Sequence, residues 1–542
     1  MVLPPGWKQL GKKTKKGQSA SRGYGDAPAA SDVSAKSASH GAVFTSVFPV
    51  SRVARVLIIA LILLASLFAR TANLSKNSLT PDEAWEYSIA KQPVSEIMSN
   101  PPVHPFFTIT YHFWLKLGDS EFHCRLLSAI CGTATVLFAF LIGSELCGFW
   151  FGCLAAAAFG ILPINIYFSR QARMYPMALM FETAGIYFFA RMFSDGRRRN
   201  TAMYMLFSIL GLLTHLFTIF VMVGEGMYVV TGRLLRLRTN LNVGRWALSQ
   251  AGIALVLMPF WIKLLREYAG GFGQEVFLNP KASAGTLQIY NALMEMLFID
   301  LGVYLDLNTS VAASLAVTLA IIILPVLCIW GILLREQRKG APAPGLFFAF
   351  LSAVPALLIL GCSAVWKPIF YPRYIYFLTA GFTLLLCAGV IAMRRPVLVA
   401  VAILLFAYSF AATDVSFYKV ISVHNWREIM AEVRKGYSAG DKMLFLPDGS
   451  QYAARYYARD WKDGTDGLKV MQFLPEQSKP GMTEKVSKTL GELLPMTGRV
   501  WFIYYPTSDP GDILLSSLSR KGRQVYSKDY WIISVRLFEL GG

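Results

Sequence analysis

Charge is scarce in this chain. Only 16% of its 542 residues are Asp, Glu, Lys or Arg, while 54% are hydrophobic. Soluble domains carry about 25% charged residues, so a water-solvated surface along the whole length is excluded. Acid is scarcer still, with 33 Asp and Glu against 52 Lys and Arg and a formal net charge of +19. The basic excess lies mostly in the first 55 residues and in short loops between apolar runs. That is the positive-inside pattern, which makes anionic membrane lipid the partner and excludes nucleic acid. Cysteines are few. Cys131, Cys147, Cys153, Cys328 and Cys387 lie in or beside apolar runs, and no CxxC or metal spacing is present. A disulfide framework is therefore not expected. No inverted repeat relates the halves of the apolar region, which speaks against a secondary transporter.

What the chain has is apolar runs long enough to cross, or nearly cross, a bilayer. They fall at 53–69, 123–146, 149–168, 174–193, 201–216, 218–232, 246–264, 311–334, 345–363, 374–393 and 396–412, about 11 transmembrane helices. Residues 1–50 read as a disordered basic cytoplasmic tail, rich in Gly, Ser, Ala and Lys. The first run reads as a retained signal anchor. The segment 104–117 is apolar but too short to span. Laying it flat on the outer face keeps the clusters Arg197–Arg199, Arg233/Arg236/Arg238, Arg335/Arg338/Lys339 and Arg394–Arg395 on one side of the membrane. The topology then has a cytoplasmic N-terminus and a first outer loop over 70–122. The domain boundaries are 51–412 for the transmembrane part and 413–542 for an extracytoplasmic tail.

The tail has ordinary polarity. Helical patterns at 424–436, 451–459 and 483–494 alternate with strand patterns at 442–446, 468–474, 500–505 and 530–538. This predicts a small α/β domain with an open sheet. No Gly-rich phosphate loop opens its helices, so no nucleotide is assigned.

Chemistry-bearing residues collect on the outer side. Asp82, Glu83 and Glu86 follow Thr80-Pro81, a helix-start signature in which acidic residues suit the dipole. The same carboxylates can act otherwise: one as the base that takes a proton from an attacking hydroxyl, a second to orient the acceptor or hold a divalent metal ion. The sequence leaves the cofactor open. His104 sits in Pro101-Pro102-Val103-His104-Pro105, at the mouth of the interfacial segment. Arg170 and Arg173 precede Tyr175, and Lys367 and Arg373 flank Tyr371. These cations lie on the less-favoured side of the membrane. They either snorkel or grip a phosphate. His215, near another outer helix end, is a further ionisable group. Glu145, Glu182 and Glu225, within spans, are what a transporter or lipid flippase would need; a non-catalytic scaffold is a further alternative.

Four blocks resemble the GT-C glycosyltransferases, specifically the group of protein O-mannosyltransferases and lipid A aminoarabinose transferases. They are Leu79–Trp85, Pro101–Pro105 with Phe113–Ser120, Phe122–Ala129 running on to Tyr167–Arg173, and Tyr371–Tyr374. Together they cover roughly 53–395. In one departure, Phe106-Phe107 follow Pro105, where mannosyltransferases often carry a second proline and a small residue. The resemblance implies a GT-C-type helical membrane protein and an inverting transferase. It would move a sugar from a polyprenyl-phosphate donor to an extracytoplasmic glycan, lipid or protein acceptor at the inner (plasma) membrane. By it, Asp82 is the base or acceptor-binding acid with Glu83 beside it, and Arg373 contacts the carrier phosphate. His104, Arg170, Arg173, Tyr175, Lys367 and Tyr371 complete the expected substrate-binding set.

Overall fold

The computed structural model describes residues 51–235, 242–269, 343–365, 372–392, 425–461, 469–471, 497–506 and 509–541, with isolated positions between them. The N-terminal tail, most of the expected spans 311–334 and 396–412, the expected helix 483–494, Lys367 and Tyr371 lie outside the described residues.

Among the described residues, the apolar runs fold as helices where the sequence places them. α1 spans Arg52–Thr71, opened by Ser51, whose side chain accepts from the Ala54 amide. It exposes Val53, Leu57, Leu61, Leu64 and Phe68. These recur every three or four residues and form one apolar stripe, the face a helix turns to lipid. α2 (Pro81–Ala90), α3 (Val94–Ser99) and α4 (Pro105–Trp114) follow. α4 has ten residues, about 15 Å of helix, which falls well short of a bilayer's hydrocarbon core.

α5 (Glu121–Cys147) packs against α6 (Phe149–Ile161) and α8 (Tyr175–Ser194). Small residues bring α5 and α6 together. A Cβ on Gly152 would lie 2.6 Å from the Phe140 carbonyl oxygen, so only glycine allows that approach. α6 breaks at Pro163 and resumes as α7 (Pro163–Ser169), bent by 59°. Pro163 has no N–H to return to the Phe159 carbonyl. The buried Arg70 of α1 takes that place, donating to Phe159 O at 3.3 Å and Gly160 O at 3.1 Å.

α9 (Arg198–Thr214), α10 (Thr218–Leu234), α11 (Val243–Ala269), α12 (Pro344–Val365), α13 (Pro372–Ile375) and α14 (Thr379–Ala392) complete the described bundle. Among the described residues, five helices are long and apolar enough to cross a membrane, or six when α6 and α7 count as one bent span. The chain is a multi-pass membrane protein. The expected number of about 11 spans is not reached among these residues. α9 and α10 are helical at their predicted places but have 17 residues each.

The C-terminal part forms an α/β unit from α15 (Trp426–Gly436), β1 (Lys442–Leu446), α16 (Ser450–Ala458), β2 (Lys469–Met471), β3 (Gly498–Tyr504), α17 (Asp509–Lys521), β4 (Gly522–Tyr530) and β5 (Ile533–Leu540). The sheet order is β2-β1-β3-β5-β4, with β1 parallel to both neighbours and β5 antiparallel to β3 and β4. Alternation sorts the strands' residues. Met443, Phe445, Trp501 and Ile503 pack with α15 and α16, whereas Leu444, Val500, Phe502 and Tyr504 pack with Leu514 and Leu518 of α17. The predicted single strand 530–538 is a hairpin turning at Trp531. β4 escapes a hydrophobic reading because it is an edge strand with both faces largely exposed.

This unit grips the segment leading into α2. Tyr457 Oη accepts from the Leu79 amide at 2.7 Å, and Ser78 Oγ accepts from the Arg427 amide at 3.1 Å. Tyr456 Oη donates to Asp119 O at 2.8 Å, and its ring stands edge-on to Tyr87. Arg427 also pairs with Glu121 at the start of α5.

Candidate active site

The site is built on α2, whose start is fixed by its sequence. Thr80 caps it by accepting from the Glu83 amide at 3.3 Å, Glu83 Oε2 accepts from the Thr80 amide at 2.9 Å, and Pro81 takes the first helical position. At about 100° per residue, Asp82 and Glu86, four apart, share a face, and Glu83 points elsewhere.

Glu83 is 1% exposed and its carboxylate is saturated. Oε1 accepts from Arg125 Nε at 2.7 Å and the Ala172 amide at 2.9 Å; Oε2 accepts from Arg125 Nη2 at 2.8 Å and the Thr80 amide. Four donors fill what a carboxylate can accept. Burial alone pushes its pKa up, but the Arg125 guanidinium and the two amides outweigh burial and hold it below the usual carboxylate range. Arg125 also donates to the carbonyls of Leu74, Asn77 and Ser78 at 2.9, 2.7 and 2.8 Å. The pair thus ties the loop before α2 to α5.

Glu86 is fully buried. His104 Nε2 sits 2.9 Å from its Oε1 and 3.0 Å from its Oε2, and Arg173 Nη1 is 3.5 Å from Oε1. Burial raises the Glu86 pKa, but His104 and Arg173 together bring it below the usual range. Beside His104 is a cavity of about 540 Å³, lined by Trp85, Gln92, Asn100, Pro101, His104 and Lys263 among others. Lys263 Nζ donates to Pro101 O at 3.3 Å.

Asp82 differs from both neighbours. Its side chain is 66% exposed. Arg173 Nη2 lies 3.9 Å from Oδ2, and Arg373 Nη1, on α13, lies 4.0 Å from the same oxygen. Arg173 is held in place by donating to Asp82 O at 3.0 Å and by its position over the Tyr175 ring, 5.7 Å from the centroid. Arg373 is half-exposed and lies over Tyr374. The result is one open carboxylate faced by two guanidiniums.

The expected residues Asp82, His104, Arg173, Tyr175 and Arg373 therefore come together, with Glu86 joining His104 to Arg173. Arg170 goes elsewhere. It donates to the carbonyls of Ala69, Arg70, Ala72 and Asn73 at 2.7 to 3.3 Å, capping the end of α1. His215 packs on Phe377 and accepts from the Phe217 amide at 3.2 Å. Among the described residues, no three His, Cys, Asp or Glu side chains converge as metal ligands. Glu83 and Glu86 are turned to cationic partners instead. Two residues of the assembly have no individual role in the sequence reading: Glu86, one of the three acids after Pro81, and Arg125. Glu86 carries a signal, its four-residue spacing from Asp82; Arg125, 42 positions from Glu83, carries none.

A family model described as dolichyl-phosphate-mannose-protein mannosyltransferase matches residues 99–262. No curated protein matches the chain in sequence. Among solved structures, the chain resembles ArnT from Cupriavidus metallidurans, determined both in the apo state and bound to undecaprenyl phosphate. Each match has 14% identity and a TM-score of 0.54, covering 89% of this chain and 97% of that one. It also resembles the archaeal oligosaccharyltransferase AglB from Archaeoglobus fulgidus, in complex with an inhibitory peptide and a dolichol phosphate. There the identity is 12% and the TM-score 0.51, over 89% of this chain and 74% of that one. The chain thus shares the fold of these two structures, and residues 99–262 resemble the mannosyltransferase family.

Proposed function

We propose that the chain is a glycosyltransferase that moves a sugar from a polyprenyl-phosphate carrier to an acceptor hydroxyl, on the extracytoplasmic side of the plasma membrane. One observation carries this reading: an exposed carboxylate, Asp82, stands within about 4 Å of both Arg173 and Arg373. A base and phosphate-gripping cations in one open site are what this transfer requires.

In the proposed step, the acceptor oxygen attacks the anomeric carbon while its proton passes to Asp82 Oδ. The bond between that carbon and the carrier's phosphate oxygen breaks. Its electron pair leaves with the polyprenyl phosphate, whose charge Arg373 and Arg173 neutralise. Attack opposite the leaving phosphate inverts the anomeric centre. Glu86 and His104 set the position of Arg173, and Glu83 with Arg125 sets the position of α2. The cavity beside His104 has room for the donor's sugar and headgroup. ArnT bound to undecaprenyl phosphate and AglB bound to dolichol phosphate support a lipid-phosphate donor for this fold.

The test is release of polyprenyl phosphate from a panel of polyprenyl-phosphate sugars by the purified chain in lipid nanodiscs. The expected result is release from at least one donor and its loss in Asp82→Asn. Undiminished release in that variant would remove Asp82 from the reaction.

A further inference from the structure

The cavity of about 540 Å³ beside His104 has three walls: α2, the Asn100–His104 segment leading into α4, and the last turns of α11. α2 supplies Trp85 and Ile89, with Gln92 just beyond its end. At about 100° per residue, these follow Asp82 along one stripe of the helix. Trp85 lies about 4.5 Å from Asp82 along the axis. Helical side chains lean towards the N-terminus, so its indole leans towards the reaction centre. α11 supplies Phe260, Lys263 and Leu264, and its opposite face exposes Leu255, Ile262 and Leu265. Such an exposed apolar stripe faces lipid. The cavity is therefore bounded by the helix that carries Asp82 and by one that borders the bilayer in which a lipid carrier moves.

The lining combines an aromatic platform with side-chain amides and holds no acid. Trp85 is half-buried, and its ring meets that of His104 at 64° with centroids 6.1 Å apart. An indole held in this way can cover the apolar C–H face of a sugar ring. Gln92 and Asn100 make no side-chain hydrogen bond among the described residues. Each therefore offers amide donors and a carbonyl acceptor to hydroxyl groups. The charged groups are cationic or already paired. Lys263 lines the wall and donates to Pro101 O at 3.3 Å. Glu86, buried beside His104, is held by His104 and Arg173. Among the described lining residues, none is Asp or Glu. A protonated sugar amine removed from water needs a carboxylate partner, and without one its burial is costly.

We propose that this cavity is the donor-sugar subsite, that it takes a hydroxylated sugar and rejects one bearing a charged amine, and that Trp85, Gln92 and Asn100 are its specificity-determining residues. The inference rests on the glycosyltransferase reading and adds the class of donor sugar. The carrier phosphate lies at Arg173 and Arg373, and the anomeric carbon beside Asp82. The sugar's hydroxyls run along the stripe from Trp85 towards Gln92. Rejection of the amine comes from a cationic wall and the missing acid, not from a clash of shape.

Calorimetric titration of the full chain in nanodiscs tests this at about pH 6, where a sugar amine is charged. The probes are geranyl phosphate and its conjugates with two matched pairs, glucose with glucosamine and mannose with mannosamine. In at least one pair, the neutral conjugate should bind about tenfold or more tightly than its amino partner. Trp85→Ala should weaken that neutral conjugate about tenfold and leave geranyl phosphate within about twofold. Gln92→Glu and Asn100→Asp each add a carboxylate at unchanged shape, and at least one of them should shift the preference towards the amino conjugate by about tenfold. Circular dichroism checks that each variant is folded. The subsite is overturned by equal binding within both pairs, by no binding of either neutral conjugate, by neutral binding unchanged in Trp85→Ala, or by a preference unmoved in both acid variants. Carrier release and its loss in Asp82→Asn are read separately, so the glycosyltransferase reading stands or falls on its own assay.

Discussion

Two carboxylate–arginine assemblies stand on different faces of one ten-residue helix, and they are filled to different degrees. Behind α2, Glu83 has all four acceptor positions taken, two of them by a buried Arg125 that also binds three carbonyls. In front, Asp82 is mostly exposed, with two arginines about 4 Å away and neither in tight contact. A saturated acid has nothing left for a substrate. An under-filled acid beside two arginines, of which Arg373 is half-exposed, has capacity for both a proton and a phosphate. The rear assembly positions α2, and the front assembly is where chemistry is proposed.

The comparison breaks most sharply at Arg125. Arg125→Met leaves Glu83 buried and uncompensated, and loss of one partner of such a pair costs about 3–5 kcal/mol. Thermal unfolding in nanodiscs should show a large drop in melting temperature, and an unchanged melt would remove the scaffold role. On the front face, Arg373→Gln should leave the melt alone and lower kcat/KM for the donor by about 10–100-fold. That is the worth of a charge-assisted contact to phosphate, about 1.5–3 kcal/mol. Arg170→Gln sharpens the contrast between neighbouring arginines. It should cost about 1–2 kcal/mol of stability through the lost cap on α1 and leave donor kcat/KM unchanged in the folded fraction.

Acid supplies a smaller effect. The pKa values of Glu83 and Glu86 lie below the ordinary 4.5 in the folded chain. The unfolded chain therefore binds more protons than the folded one in acid. Stability from these groups is fully present above pH 4.5 and is lost as pH falls through their folded values. The melting temperature should hold level from pH 7 to about 5 and decline below that. Glu83→Gln should make the decline shallower, and a decline of equal slope would show that Glu83 does not contribute to it.

Much of the frame was legible in the sequence. Apolar length fixes the helices, and Thr80-Pro81 fixes the start of α2 within one residue. β1 at Lys442–Leu446 matches its predicted limits because a continuous apolar run, buried on both faces, ends at a proline. What the sequence leaves undetermined is which of three neighbouring acids is spent on scaffolding. That depends on Arg125 and on the Ala172 amide, 89 residues beyond Glu83, and no local pattern announces either. Arg170 and Arg173 look alike in sequence for the same reason; only the end of α1 draws one away. α17 opens with Asp509-Pro510-Gly511, which reads as a turn, and β4 is too polar to read as a strand.

The matched pair Asp82→Asn and Glu83→Gln, each assayed for both melting temperature and polyprenyl-phosphate release, tests the division of labour most directly. The account predicts a crossover: Asp82→Asn keeps the melt within about 0.5 kcal/mol and loses release by about 10²–10⁴-fold, while Glu83→Gln lowers the melt and retains release in the fraction that stays folded. A destabilised Asp82→Asn that still turns over, beside a stable and inactive Glu83→Gln, would contradict it.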